Sequence, residues 1–408
     1  MAGSRMPASA QGPQAVEALY ARLLGKGTVS YAPAIDRDAA RTRIAADGLP
    51  VARAEAWKYS NVGKWYQAAL EPVQAPGVRE TCVPGGVDLH RFDDPAAAPL
   101  LTKHLGTAID LARHPLAAVN RILLGSGVVV RVPAGCRIDE PVNVDDIGAA
   151  YEHILLIVEP GAELALVETP IAATHRVVEC IVAEGARLTH RRVQPRGQAP
   201  QCGLIAAKVE QQAHYSLWLA ARGTELRRND IHIALAGRGA ETHLHGAWRL
   251  GEREHLDNQV TVDHLAPDCL SRQTFRGVVG GRARAVLNGR IHIAAGAQAS
   301  DASLTTKSLL ESTDAEVYAK PELEIYANDV RCSHGATVGA LDEAMLFYCE
   351  SRGIDRDAAR GLLLRGFLRE AIVGEEAIGV LAAGFSGADG SLGATLAGDV
   401  ASAGGEVQ

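Results

Sequence analysis

The stretch PELEIYANDVRCSHGATVGALDEAMLFYCESRGID, residues 321–355, holds Cys332 and His334 two positions apart. A thiolate is a soft ligand and an imidazole a borderline one, so this pair suits iron or an iron–sulfur cluster. In an extended segment positions i and i+2 share a side, and the two groups would project together. They make half a site. Two donors leave a metal undercoordinated, and no Cys-x-x-Cys stands anywhere in the chain to complete one. Other ligands must come from elsewhere, or the pair is structural: a buried thiol beside a histidine that caps the end of a solenoid.

Other candidates carry less chemistry. His243 and His245 in THLH share a strand face but have no third ligand at metal spacing. They read as outward-facing structural residues. Glu322 and Glu324 flank Leu323 and could be paired carboxylates for glycoside cleavage, as in polysaccharide-active β-helix enzymes. With only 4% aromatic residues there is little material for a sugar-stacking groove, so these acids are expected to coat an outer face. LLGKGT (23–28) lacks the Gly-x-x-x-x-Gly-Lys-Ser/Thr spacing of a phosphate loop, and no dinucleotide fingerprint or Ser-His-Asp order replaces it. The chain is expected not to be an autonomous enzyme or to hydrolyse ATP.

The elements that must position Cys332 and His334 fill 408 residues, 47% of them hydrophobic, enough for a substantial core. A net charge of -7 without a basic run argues against nucleic acid or an anionic membrane as main partner. Seven scattered cysteines read as reduced thiols. With no signal-length apolar segment and no run near the roughly 18 residues of a membrane span, the expected location is the cytoplasm.

Periodicity divides the chain into an N-terminal helical region (1–121), a β region (122–338), a C-terminal helical region (339–388) and a flexible tail (389–408). QAVEALYARLL places Val16, Leu19, Leu23 and Leu24 on one helical face, and Asp36 is positioned to cap AIDRDAARTRIAA. In the β region short apolar runs such as HILLIVE and IHIALAG lead into turns at Gly135, Gly161, Gly185, Gln212 and Gly239, steps of 26, 24, 27 and 27 residues. Such a period predicts stacked coils of a right-handed parallel β-helix, mainly β, with helical flanks closing its ends. A β-sandwich is the alternative. After Gly339 two amphipathic helices are expected, split at Gly353, with Asp355 capping the second.

Three stretches resemble the SufB/SufD subunits of the SUF iron–sulfur cluster assembly machinery: LPVARAEAWKYSNV (49–62), HPLAAVNRILLGSGVVVRVPAGCRIDEPVNV (114–144) and DVRCSHGATVGALDEAMLFYCESRGI (329–354). The last is the most specific. The Trp57-Lys58-Tyr59 motif and the short N-terminal region favour the SufD type over SufB. The resemblance implies a non-catalytic scaffold whose β-helix pairs with SufB and whose C-terminal helices dock the ATPase SufC. Leu362, Leu363, Phe367 and Ile372 are the expected docking anchors, spaced as in a helix laid in a groove. It further implies that His334, and second to it Cys332, contributes to a nascent cluster shared with SufB. No cofactor is expected on the isolated chain, only a transient iron–sulfur cluster in the complex. Whether the isolated chain is a homodimer, and whether a flavin takes part, stay open at this point.

Overall fold

The structure, a computed structural model, describes residues 17–24, 36–51, 54–70, 83–171, 174–372 and 381. In chain order its strands are β1 (Asp88–Arg91), β2 (Ser126–Val132), β3 (Val142–Val144), β4 (Tyr151–Val158), β5 (Glu163–Glu168), β6 (His175–Val182), β7 (Arg187–Gln194), β8 (Gln201–Val209), β9 (His214–Ala221), β10 (Arg227–Leu235), β11 (Glu241–Leu250), β12 (His255–His264), β13 (Leu270–Val279), β14 (Arg284–Ile293), β15 (Ser300–Leu310), β16 (Glu316–Ile325) and β17 (Val330–Ala340). From β2 onward even strands stack in one sheet and odd strands in the other, β2-β4-…-β16 against β3-β5-…-β17. Neighbours within each sheet run parallel. This is a flattened parallel solenoid of about seven coils, as the repeat predicts.

The repeat has a physical cause at one corner of each coil. Gly135, Gly161, Gly185, Gln212 and Gly239 all have φ between 54° and 70°. In that left-handed conformation each donates its N–H to a carbonyl of the next coil, Gly135 to Pro160 at 2.9 Å and Gly239 to Pro267 at 3.1 Å. Glycine suits the position because it has no Cβ to strain. The ladder continues at Asp268 and Ala299, φ 60° and 58°, with N–H donated to Gln298 and Asp329. No glycine marks those turns, and the coils there are longer, with Arg284 of β14 standing opposite Glu316 of β16. The period therefore fades from the sequence while the coils continue.

Inside, Val, Ile and Leu from both sheets form one core that runs from Val128 to Ala327. Each such side chain stabilises the fold by about 1.5–3 kcal/mol relative to exposure. The open edge of the first coil is covered by β1, which pairs antiparallel with β2 and lies inside the region expected to be helical. Around it lie the helix at 17–24 (α1), α2 (Arg37–Asp47), α3 (Val62–Leu70), α4 (Ala98–His104) and α5 (Pro115–Leu123). Asp36 caps α2 by accepting the Ala39 N–H at 2.8 Å. Leu19, Leu23, Ile44, Trp65 and Val119 pack with Tyr151 and Leu226 of the solenoid. Leu24 departs from the expected face and is exposed, while Val16 lies outside the described residues.

At the other end α6 (Glu343–Ser351) and α7 (Arg356–Arg369) follow β17. Gly353, with φ 82°, separates them, and Asp355 caps α7 by accepting from the N–H groups of Asp357 and Ala358. Leu364 and Leu368 of α7 seat on Val193, Ala220, Ala247 and Val278, the outer face of the odd-strand sheet. The expected tail at 389–408 lies outside the described residues.

Several histidines are buried without charge. Burial pushes His175 down to about 3, and His255 and His264 each down to about 4. A histidine whose folded pKa is depressed favours the fold fully above its unfolded value near 6.5, and that contribution is lost as pH falls towards the folded pKa. Urea unfolding midpoints should therefore decline between about pH 6.5 and 4, each histidine contributing up to about 1.4 kcal/mol per pH unit. A midpoint that stayed flat from pH 7 to 5 would show that these rings are not held neutral. Glu168 acts in the same direction lower on the scale: burial raises it, but Arg192, His190 and Arg176 outweigh that and hold its carboxyl well below the usual range.

Candidate functional site at the open end of the solenoid

Among the described residues β16 and β17 are the last strands of their sheets, and each pairs there on one side only, with β14 and β15. Their far edges carry unpaired backbone donors and acceptors, which an adjoining strand would satisfy. Pro321, which cannot donate, stands in such an edge strand, where sheets tolerate it.

Register fixes where Cys332 and His334 sit. Cys332 stands opposite Ala302 and His334 opposite Leu304, two residues of the solenoid core. Both therefore continue inward-facing columns. Because no further coil lies above them among the described residues, they end those columns at the open mouth: Cys332 half-buried against the core, His334 exposed. Across the mouth Val317, Ala319, Pro321, Leu323 and Ile325 continue the columns of Ala285, Leu287, Gly289, Ile291 and Ile293. The result is an apolar lip with one imidazole and one thiol.

The two donors differ in readiness. Burial, and then the Asp301 carboxylate, push the Cys332 thiol up, so at neutral pH it carries its proton and must lose it before it binds metal. His334 is open to solvent. Among the described residues no group of three or more His, Cys, Asp or Glu is placed to hold a metal, so what this end of the chain offers is two donors.

The remaining candidates are accounted for by local contacts. His245 stacks on Trp218, centroids 4.0 Å apart and planes at 8°, with His243 beside it on the outer face. Glu322 pairs with Lys320 at 2.7 Å and Glu324 with Arg290, so both coat the outer face of β16. Trp57 is buried beneath the Arg228 guanidinium, 3.8 Å from its ring centroid. Lys58 lies 5.4 Å from the Tyr59 ring, and Tyr59 stacks on Tyr318 at 4.2 Å.

The four expected anchors do not form one free face. Ile372 is buried with Leu364 and Leu368 against the odd-strand sheet, and Phe367 packs on the same cluster beneath Arg276. Leu363 packs between the two helices, and Leu362 is exposed. Helical spacing alone does not say which side of α7 meets the sheet. The exposed apolar surface is instead on α6, where Met345, Phe347 and Tyr348 are 52%, 71% and 60% exposed. The sequence signal for this exposed apolar surface is the run EAMLFY, whose large side chains cannot all face one side of a helix.

The chain matches the SUF system FeS cluster assembly, SufBD core domain over residues 142–367, more than half its length. It is 30% identical over 268 residues to the chloroplastic protein ABCI7 of Arabidopsis thaliana, covering 60% of this chain and 56% of that one. It is 36% identical over 148 residues to the iron-sulfur cluster assembly protein SufD of Escherichia coli, covering 36% and 35%. A SufBD family protein of Synechocystis is 27% identical over 292 residues, covering 66% and 64%. The matched parts thus span roughly a third to just under two thirds of these relatives. No helix among the described residues is long and apolar enough to cross a membrane. The solenoid with its Cys-Ser-His-Gly-Ala-Thr mouth and the match across 142–367 together place this chain in the SufB/SufD family of the SUF iron–sulfur cluster assembly system.

Proposed function

We propose that this chain is a SufD-type scaffold subunit of the cytoplasm, pairing through its last coil with SufB and docking the ATPase SufC through its C-terminal helices. The observation that carries the reading is the open mouth: two one-sided edge strands, an apolar lip, and His334 and Cys332 ending inward columns where a second chain would meet them. Strand addition across such an edge joins backbones by regular hydrogen bonds and brings the partner's inward-facing residues next to these two. The partner then supplies the missing cluster ligands. The nascent cluster is cargo, and this chain's part is to present one imidazole and one thiol at a fixed separation.

The scaffold itself does no catalysis in this scheme. ATP-driven rearrangement of SufC would pull on α6 and α7, and α7 is seated directly on the solenoid, so movement of the helices is transmitted to the coils rather than lost in a linker. The test is coexpression of all three chains followed by affinity capture on this one. Recovery of SufB and SufC in fixed ratio is expected, and capture of neither would overturn the reading.

A further inference from the structure

We propose that residues 54–60 are a clamp that positions β16 for the partner chain, with Tyr59 as its contact on the last coil; this rests on the pairing reading above. The terminal strand has a problem of its own. None of its ten residues is buried and among the described residues it pairs on one side only, so without support from its outer face it would fray. Fraying matters more here than at an ordinary surface, because an edge that is to accept another strand must already be extended and in register.

Segment 54–60 supplies that support by crossing the even-strand sheet along its outer face. On β10 the Arg228 guanidinium stacks over Trp57 and donates to the Ala56 carbonyl at 2.6 Å. On β12 Ser60 Oγ donates to Asp257 Oδ2 at 2.6 Å and lies 2.9 Å from His255 Nε2. On β16 the Tyr59 ring stacks on Tyr318 and Glu55 pairs with Lys320 at 2.9 Å. The first two anchors are buried and fix the segment to inner coils; the third extends from them to the edge. The Glu55–Lys320 pair is exposed and contributes little, so the ring stack carries the contact. Helices that served only to cover the first coils would have no reason to reach the last one.

The test compares Tyr59→Ala with Tyr59→Phe, which keeps the stacking ring. Amide hydrogen exchange in β16 should rise roughly fivefold in Tyr59→Ala. Exchange in β10 and β12 and the melting temperature should stay put, because Trp57 and Ser60 are intact. Affinity for SufB should fall by a similar factor, and Tyr59→Phe should restore both. Unchanged β16 exchange overturns the clamp, and so does faster exchange with unchanged affinity. If the unaltered chain failed to bind SufB, the pairing reading would fall, and the exchange comparison would still decide whether the clamp holds β16.

Discussion

His334→Ala is expected to lower cluster formation in the assembled complex by at least about tenfold while leaving association with SufB and SufC within a few fold. The loss follows from coordination, since removing a direct ligand costs more than the roughly 10- to 100-fold of removing an outer-shell partner. The retention follows from geometry. His334 is exposed at the mouth and makes no hydrogen bond or ion pair among the described residues, so its truncation disturbs neither the core nor the ladder to β15. Cys332→Ser tests the order of the two donors. Its thiol is held protonated by burial and Asp301, so if it joins the cluster late the serine variant should retain more activity than His334→Ala. Iron and sulfide content after reconstitution of the purified complex reads both. Wild-type cluster yield from His334→Ala would sink the shared-site reading.

What the sequence disclosed and what it hid divide along the range of the interactions. The coils were legible because four of the first five left-handed turns are glycine, and a glycine recurring near a fixed step is a backbone requirement written in residue type. Asp36 and Asp355 were legible for the same reason, each satisfying N–H groups two or three residues away. The turns at Asp268 and Ala299 were not, because the ladder to the next coil rather than the side chain holds them there. RLTHRRVQ is polar in composition, yet His190 and Arg192 point inward, where Glu168 takes a hydrogen bond from each. The reason is compositional: an inward charge is affordable only beside its counter-ion, and Glu168 stands on another coil. The contact of Tyr59 with Tyr318 belongs to the same class. The motif at 57–59 was visible as a motif, but its purpose depends on a strand folded against it from the far end of the chain.

The second large effect is expected for the proposed docking of SufC: Ile372 is buried on the solenoid, and α6 carries Met345, Phe347 and Tyr348 exposed, so α6 is the contact put to the test. The double substitution Phe347→Ala with Tyr348→Ala should weaken SufC binding by at least about thirtyfold, since aromatic anchors at the centre of an interface typically cost more than 1 kcal/mol each on truncation. Thermal stability should change by no more than about 0.5 kcal/mol, because the two rings are 71% and 60% exposed and the contact of Tyr348 with Arg352 is itself at the surface. Ile372→Ala is the contrasting variant. It removes a side chain that joins Leu364 and Leu368 to Val193, Ala220, Ala247 and Val278, so it should cost about 2–5 kcal/mol of stability and leave the SufC affinity of the folded protein nearly unchanged. The two variants separate docking from seating: α6 presents an apolar surface outward, and α7 fixes the base from which that surface is held. Undiminished SufC affinity in the Phe347/Tyr348 variant would refute α6 as the docking helix, and loss of binding in Ile372→Ala at unchanged stability would return the contact to α7.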